Sequence, residues 1–82
     1  MRTVRIQLRD IEGLHARNSA QISMAVKDLD ARVVLCLDHA KAAADQILEI
    51  MALEADCGDW IEVQSEGREE EAAMEAVLEI LQ

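Results

Sequence analysis

Gly13-Leu14-His15-Ala16-Arg17 sets an imidazole two residues ahead of a guanidinium, directly after a glycine. A neutral imidazole is a nucleophile, and a guanidinium is a planar cation whose donors match phosphate oxygens. If the segment opens a helix, with His15 at the N-cap and Arg17 in the first turn, unpaired amides of Ala16, Arg17 and Asn18 and the positive end of the dipole meet at the same point. A phosphoryl group carried on the ring would then have its new charge met by backbone and side chain together. Gly13 permits the tight turn that leaves the ring exposed. A plainer reading has His15 only capping the helix and Arg17 solvated. Against it, Ser, Thr, Asp or Asn caps better, and histidine is an unusual choice.

The surrounding pattern supplies elements to hold such a site. Thr3 to Leu8 alternates, with Val4, Ile6 and Leu8 on one face, as a half-buried strand does. Ile22, Val26 and Leu29 recur at helical spacing within Ala16–Leu29. Arg32 to Leu37 reads as a strand with Val33, Leu35 and Leu37 on one face and Val34 and Cys36 on the other. Asp38 to Ala44 is assigned a short strand despite its alanines. Gln46 to Leu53 is assigned a helix capped by Asp45, with Ile47, Ile50 and Leu53 inward. Trp60 to Ser65 alternates again after the Asp56–Asp59 turn. Glu69, Glu70 and Glu71 then open a helix whose buried stripe is Met74, Val77, Leu78 and Leu81. The order β-α-β-β-α-β-α predicts an α+β fold: an open-faced two-layer sandwich, a four-stranded, mainly antiparallel sheet with three helices on one face.

Composition narrows the function. The chain has 82 residues, no proline and a single aromatic residue, Trp60, so one small domain with an aliphatic core is expected over residues 1–82. A chain this short has little volume for a deep pocket, which places its chemistry on the surface. One aromatic and a net charge of −9 argue against a nucleic-acid platform. Residues 1–44 hold seven bases against five acids, whereas residues 45–82 hold Arg68 alone against twelve acids. On separate faces these halves would make the molecule a dipole. Neither an apolar membrane span nor a signal core is present, so a cytoplasmic location and no membrane insertion are expected. Cys36 and Cys57 lack metal-binding spacing and are expected to be reduced thiols. His39, alone in a turn, reads as a solvated residue; no metal and no cofactor are expected.

The segment Gly13-Leu14-His15-Ala16-Arg17, with Ser19-Ala20, the chain length and Gln46–Leu53 as a second helix, resembles the HPr family. These are the histidine-containing phosphocarriers of the phosphoenolpyruvate-dependent sugar phosphotransferase system. The resemblance runs over nearly the whole chain. It implies that His15 accepts a phosphoryl group on Nδ1 from an Enzyme I type donor and passes it to an Enzyme IIA type acceptor, with Arg17 balancing the charge. It also implies a monomer that docks partners through Ala20, Gln21, Met24, Lys27, Ile47, Leu48, Glu49 and Met51.

Three departures from the family pattern stand out. Asn18 replaces a proline after the arginine, and its side chain is able either to bond the phosphate or to compete with it. Gln46 replaces a regulatory serine, with the acid Asp45 just before it. Lysines of the docking region are reduced to Lys27, so a strongly acidic partner groove would bind less well. A second reading of the chain is therefore an HPr-like regulatory module that reports phosphorylation state by docking to a kinase or transcription regulator. Trp60, Val34 and Cys36 fall on the sheet face away from the helices, either as a small docking patch or as scattered exposed apolar residues.

Overall fold

The computed structural model describes residues 1–82 as seven elements in the expected order: β1 (Arg2–Gln7), α1 (Ala16–Lys27), β2 (Arg32–Leu37), β3 (Ala40–Ala43), α2 (Ile47–Ala52), β4 (Trp60–Glu66) and α3 (Glu70–Leu81). The sheet order is β1-β4-β2-β3 and every neighbouring pair is antiparallel. The strand alternation sets the register: Val4 lies opposite Val63, Ile6 opposite Ile61 and Leu35 opposite Val63, which brings one apolar face together under the helices. Ile22 of α1, Ile50 of α2 and Met74 and Val77 of α3 close the core and are fully buried. Asp38 takes φ +54° in the two-residue β2–β3 turn, a left-handed conformation that aspartate tolerates, so even the alanine-rich β3 finds its partner.

Four expectations need correction. Gln46, not Asp45, is the N-cap of α2, and it makes no side-chain cap bond. The Gln46 amide donates to the Ala43 carbonyl, which keeps the chain in a turn for one more residue. Ile47 is exposed, because the short α2 anchors through Ile50 and Leu53 and leaves Ile47 at its rim. In α3 the fully buried line runs through Ala73, Met74, Val77 and Leu81, with Leu78 only half-buried beside it.

The fourth correction concerns the outer sheet face. Cys36 is buried there, since its cross-strand neighbours are Lys41 on one side and Glu62 on the other, and long charged stems cover a small thiol between them. Arg5, opposite Glu62, places its guanidinium 5.4 Å from the centre of the Trp60 ring. The face is thus crossed by charge and no continuous apolar patch forms. Burial pushes the Cys36 thiol pKa up, whereas Cys57 lies exposed in its turn. Ellman's reagent is expected to modify Cys57 first, with Cys36 slower by about tenfold or more in native protein and equal only in denaturant. Equal native rates would contradict this packing.

The halves of opposite charge do not separate either. β4 sits between β1 and β2, and ion pairs join the two halves: the Met1 amino group to Glu70 at 3.0 Å and Arg2 to Glu71 at 3.4 Å. The amino group and the Gly67 amide hold the Glu70 carboxyl below its usual range. The acidic surplus is instead spread over the surface; on α3, Glu75 and Glu79 are exposed and without a basic partner.

Candidate functional site

The site is built by the loop between β1 and α1. Gly13 adopts φ +67°, and the next amide, that of Leu14, donates to the Ala55 carbonyl at 3.0 Å, pinning the loop to the segment before β4. Leu14 then buries its side chain, and the chain turns outward so that His15 is the N-cap of α1 with extended backbone (φ −123°, ψ −179°). The His15 side chain is only partly exposed, at 18%. Its Nδ1 accepts from the Arg17 amide at 3.2 Å and, more loosely, from the Asn18 amide at 3.5 Å. An atom that accepts from two N–H groups carries no proton, so the neutral ring holds its proton on Nε2. The lone pair of Nδ1 is therefore aimed into the positive end of α1.

Asn18 does neither of the two things its type allowed. Its Oδ1 accepts from the His15 amide at 2.9 Å, completing a capping box, and its Nδ2 donates to the Gly13 carbonyl at 2.9 Å. The side chain is buried and both ends of its amide are engaged, so it neither reaches toward a phosphate nor competes with one. It acts as a strap across the loop. Only its backbone amide, with that of Arg17, faces the site. Arg17 is exposed, and its guanidinium has no salt-bridge partner.

One residue beside the ring carries no sequence signature. Asp10, on the far side of the loop turn, places Oδ2 3.0 Å from His15 Nε2, while its Oδ1 accepts from the Glu12 amide at 3.0 Å. The Glu12 amide first, and then His15, hold the Asp10 carboxyl below its usual range. No motif marks this aspartate, because its approach depends on how the Gly13 turn folds back.

The eight residues assigned to docking lie on α1 and α2. Met24 and Leu48 are the most exposed, at 74% and 81%, while Ile47 and Met51 are partly exposed and Ala20 is half-buried. Gln21 and Lys27 are exposed on α1. Glu49 is exposed too, but its carboxylate accepts from the Ala43 amide at 3.0 Å and so closes the open edge of β3. Ser23 ties α1 to the turn before α2 by donating to the Asp45 carbonyl at 3.0 Å. The widest surface cleft, about 450 Å³, is lined by Ile6, Gln7, Arg9, Trp60 and Gln82 and includes none of the site residues. His39 lies exposed in the β2–β3 turn, and no three His, Cys, Asp or Glu side chains cluster as a metal site would need.

An open-faced sandwich that presents one histidine at the N-terminus of its first helix, beside a free arginine and an apolar surface, has the architecture of a phosphoryl carrier. Comparison with known proteins agrees. The family model for the phosphotransferase-system HPr component phosphorylation site matches residues 2–82. The phosphocarrier protein HPr of Treponema pallidum is 35% identical over 82 residues, covering 100% of this chain and 91% of that protein. The phosphocarrier protein NPr of Escherichia coli K12 is 33% identical over 67 residues, covering 80% of this chain and 74% of the relative. Among solved structures, HPr from Bacillus anthracis superposes with a TM-score of 0.91 at 28% identity, covering 99% of this chain and 96% of the other. The chain belongs to the HPr family and is a phosphocarrier of the phosphotransferase system. Its curated relatives are named as phosphocarriers, which favours the carrier over the docking-only regulator. Another similar structure, from Thermoanaerobacter tengcongensis, is described as an HPr dimer. No helix here is long and apolar enough to cross a membrane.

Proposed function

We infer that His15 is the residue that carries the phosphoryl group, on Nδ1, and that it works in the cytoplasm as a monomer between an Enzyme I type donor and an Enzyme IIA type acceptor. The observation that carries this reading is the placement of the Nδ1 lone pair at the N-terminus of α1, facing the Arg17 and Asn18 amides. Attack by that lone pair on a donor's phosphorus forms the N–P bond as the bond to the donor's leaving atom breaks. The phosphoryl oxygens then replace Nδ1 as acceptors of the Arg17 and Asn18 amides, the Ala16 amide at the same helix start is a further donor, and the Arg17 guanidinium balances the remaining charge. Because these donors are backbone groups held by the helix, they need no reorganisation when the charge arrives. Met24, Ile47, Leu48 and Met51 form the apolar centre on which partners dock, and adaptable thioethers suit a surface that must meet a donor and an acceptor in turn. Ala20, Gln21, Lys27 and Glu49 form its rim.

The test uses the full chain with phosphoenolpyruvate and the first enzyme of its own organism's system. The expected result is one acid-labile phosphoryl group per chain that chases onto an acceptor domain. Failure to take label from that enzyme would overturn the carrier site. Label that does not chase would overturn the relay and leave only the acceptor role.

A further inference from the structure

We propose that Asp10 is a positioning residue for phosphoryl transfer: it holds the Nε2 proton of His15 so that Nδ1 keeps a free lone pair before transfer and the ring stays cationic after it. The proposal rests on the His15 assignment and deepens it. Three contacts place the ring. The Arg17 and Asn18 amides fix Nδ1 as an acceptor, and Asp10 Oδ2, 3.0 Å from Nε2, takes the hydrogen bond on the opposite nitrogen. The carboxylate is itself held in place, since its other oxygen accepts from the Glu12 amide at 3.0 Å. A carboxylate that orients an imidazole through one nitrogen while the other does chemistry is a recurring arrangement in catalysis.

The proton count shows what Asp10 adds. Before transfer the neutral ring has its proton on Nε2 and its lone pair on Nδ1. When Nδ1 forms the bond to phosphorus and the donor's bond breaks, no proton moves, and the product is a phosphoryl-imidazolium with Nε2–H still in place. That ring is a cation whose charge lies partly on Nε2, against Asp10. Loss of its proton would leave a neutral phosphoryl-imidazole, in which the electron pair of the N–P bond has a poorer place to go on discharge. With the proton kept, the N–P bond breaks toward a neutral imidazole and the pair returns to Nδ1. Arg17 opposes the ring cation, and Asp10 is the one carboxylate within ion-pair distance of the ring. A small exposed carrier thus has a carboxylate at the nitrogen that does not react.

Asp10→Asn and Asp10→Ala test this. Asp10 is exposed, and asparagine still accepts from the Glu12 amide, so the fold is expected to survive, as far-ultraviolet circular dichroism would confirm. In the phosphorylated protein, followed by ³¹P and ¹⁵N NMR across pH, the midpoint for loss of the Nε2 proton is expected to fall by about one pH unit in both variants. Onward transfer at neutral pH is expected to slow by about tenfold. Glu12→Gln removes the same charge from the same loop without touching the ring and is expected to leave the midpoint in place. A wild-type chain that takes and passes label while both Asp10 variants match it in midpoint and rate overturns the role of Asp10 alone. A midpoint lowered equally by Glu12→Gln also overturns it, in favour of net charge. A wild-type chain that takes no label fails the His15 assignment instead, and the two outcomes are distinct.

Discussion

His15→Asn is expected to abolish phosphoryl labelling completely while leaving the protein at least as stable as the native chain. Function and stability separate here because the histidine holds two posts. As the proposed nucleophile it has no substitute: an asparagine amide nitrogen has its electron pair delocalised and does not displace a phosphoryl group. As an N-cap it is a poor choice that asparagine improves upon, since a short side-chain oxygen is well placed to accept from the amides that Nδ1 now reaches at 3.2 and 3.5 Å. A gain of about 0.5 kcal/mol in urea unfolding is the expected sign and size. His15→Ala would lose the label too, but with a loss of about 1 kcal/mol from the missing cap, so a failed assay could be blamed on folding. The chain has one other histidine, His39, and His39→Asn is expected to label as the native chain does. Label surviving in His15→Asn, or vanishing in His39→Asn, would place the chemistry elsewhere. A loss of stability in His15→Asn would show that the ring's contact with Asp10 outweighs its weakness as a cap.

The reach of the sequence can be judged residue by residue. Alternation in Thr3–Leu8, Arg32–Leu37 and Trp60–Ser65 was enough to place three strands within a residue or so of their ends, because each must bury one face against the same helices. His15 and Arg17 were legible for a different reason: a helix start has strong residue preferences, and a histidine where serine or aspartate belongs is a local anomaly. Asp10 was not legible, since nothing in its spacing says that the turn at Gly13 will bring it back across the ring. Asn18 was seen as a departure but its work was not, because two hydrogen bonds to the loop depend on where the Gly13 carbonyl points. Alternation puts Cys36 on the solvent side of the sheet, yet it is covered. Burial there is a property of neighbours on two other strands, Lys41 and Glu62, which single-strand alternation does not contain. Glu49 shows the same limit: a charge counted as part of the docking rim is half committed to the amide of Ala43.

That last point changes how the acidity bears on partners. The reduction of the docking lysines to Lys27 gives a reason to expect poor docking to an acidic groove, and Glu49 is counted among the docking residues. Glu49 is turned toward the β3 edge, whereas Asp45 is exposed just before α2. The ring itself stands between Asp10 at Nε2 and the α1 amides at Nδ1, and the exposed apolar residues Met24, Ile47, Leu48 and Met51 lie on α1 and α2. On the proposed docking surface of Met24, Ile47, Leu48 and Met51, selection among partners would then rest on shape as well as on charge.

Gly13→Ala is expected to be the most damaging single substitution in the site loop, costing about 3 kcal/mol of stability. Two costs add. The residue sits at φ +67°, where an alanine carries strain of about 1 kcal/mol. The new Cβ would also stand 2.2 Å from the Ala55 carbonyl oxygen and 2.7 Å from the Asp56 Cα, and both are backbone atoms that no rotamer change can clear. The loop would have to lift away from Ala55, breaking the Leu14 bond at 3.0 Å and slackening the Asn18 strap at 2.9 Å on the Gly13 carbonyl. Both hold the ring. For a domain of this length the loss corresponds to a fall in Tm of roughly 12–24 °C, readable by calorimetry. Gly58→Ala supplies the internal comparison: it has a positive φ of +94° but no atom within 4 Å of the added Cβ, so it is expected to cost only about 1 kcal/mol. Equal losses at the two positions would mean that the close approach to Ala55 is not what fixes the loop. If the ordering holds, residual folded Gly13→Ala should also accept phosphate more slowly than native protein, because the contact that secures the fold here is the one that aims Nδ1 at the helix.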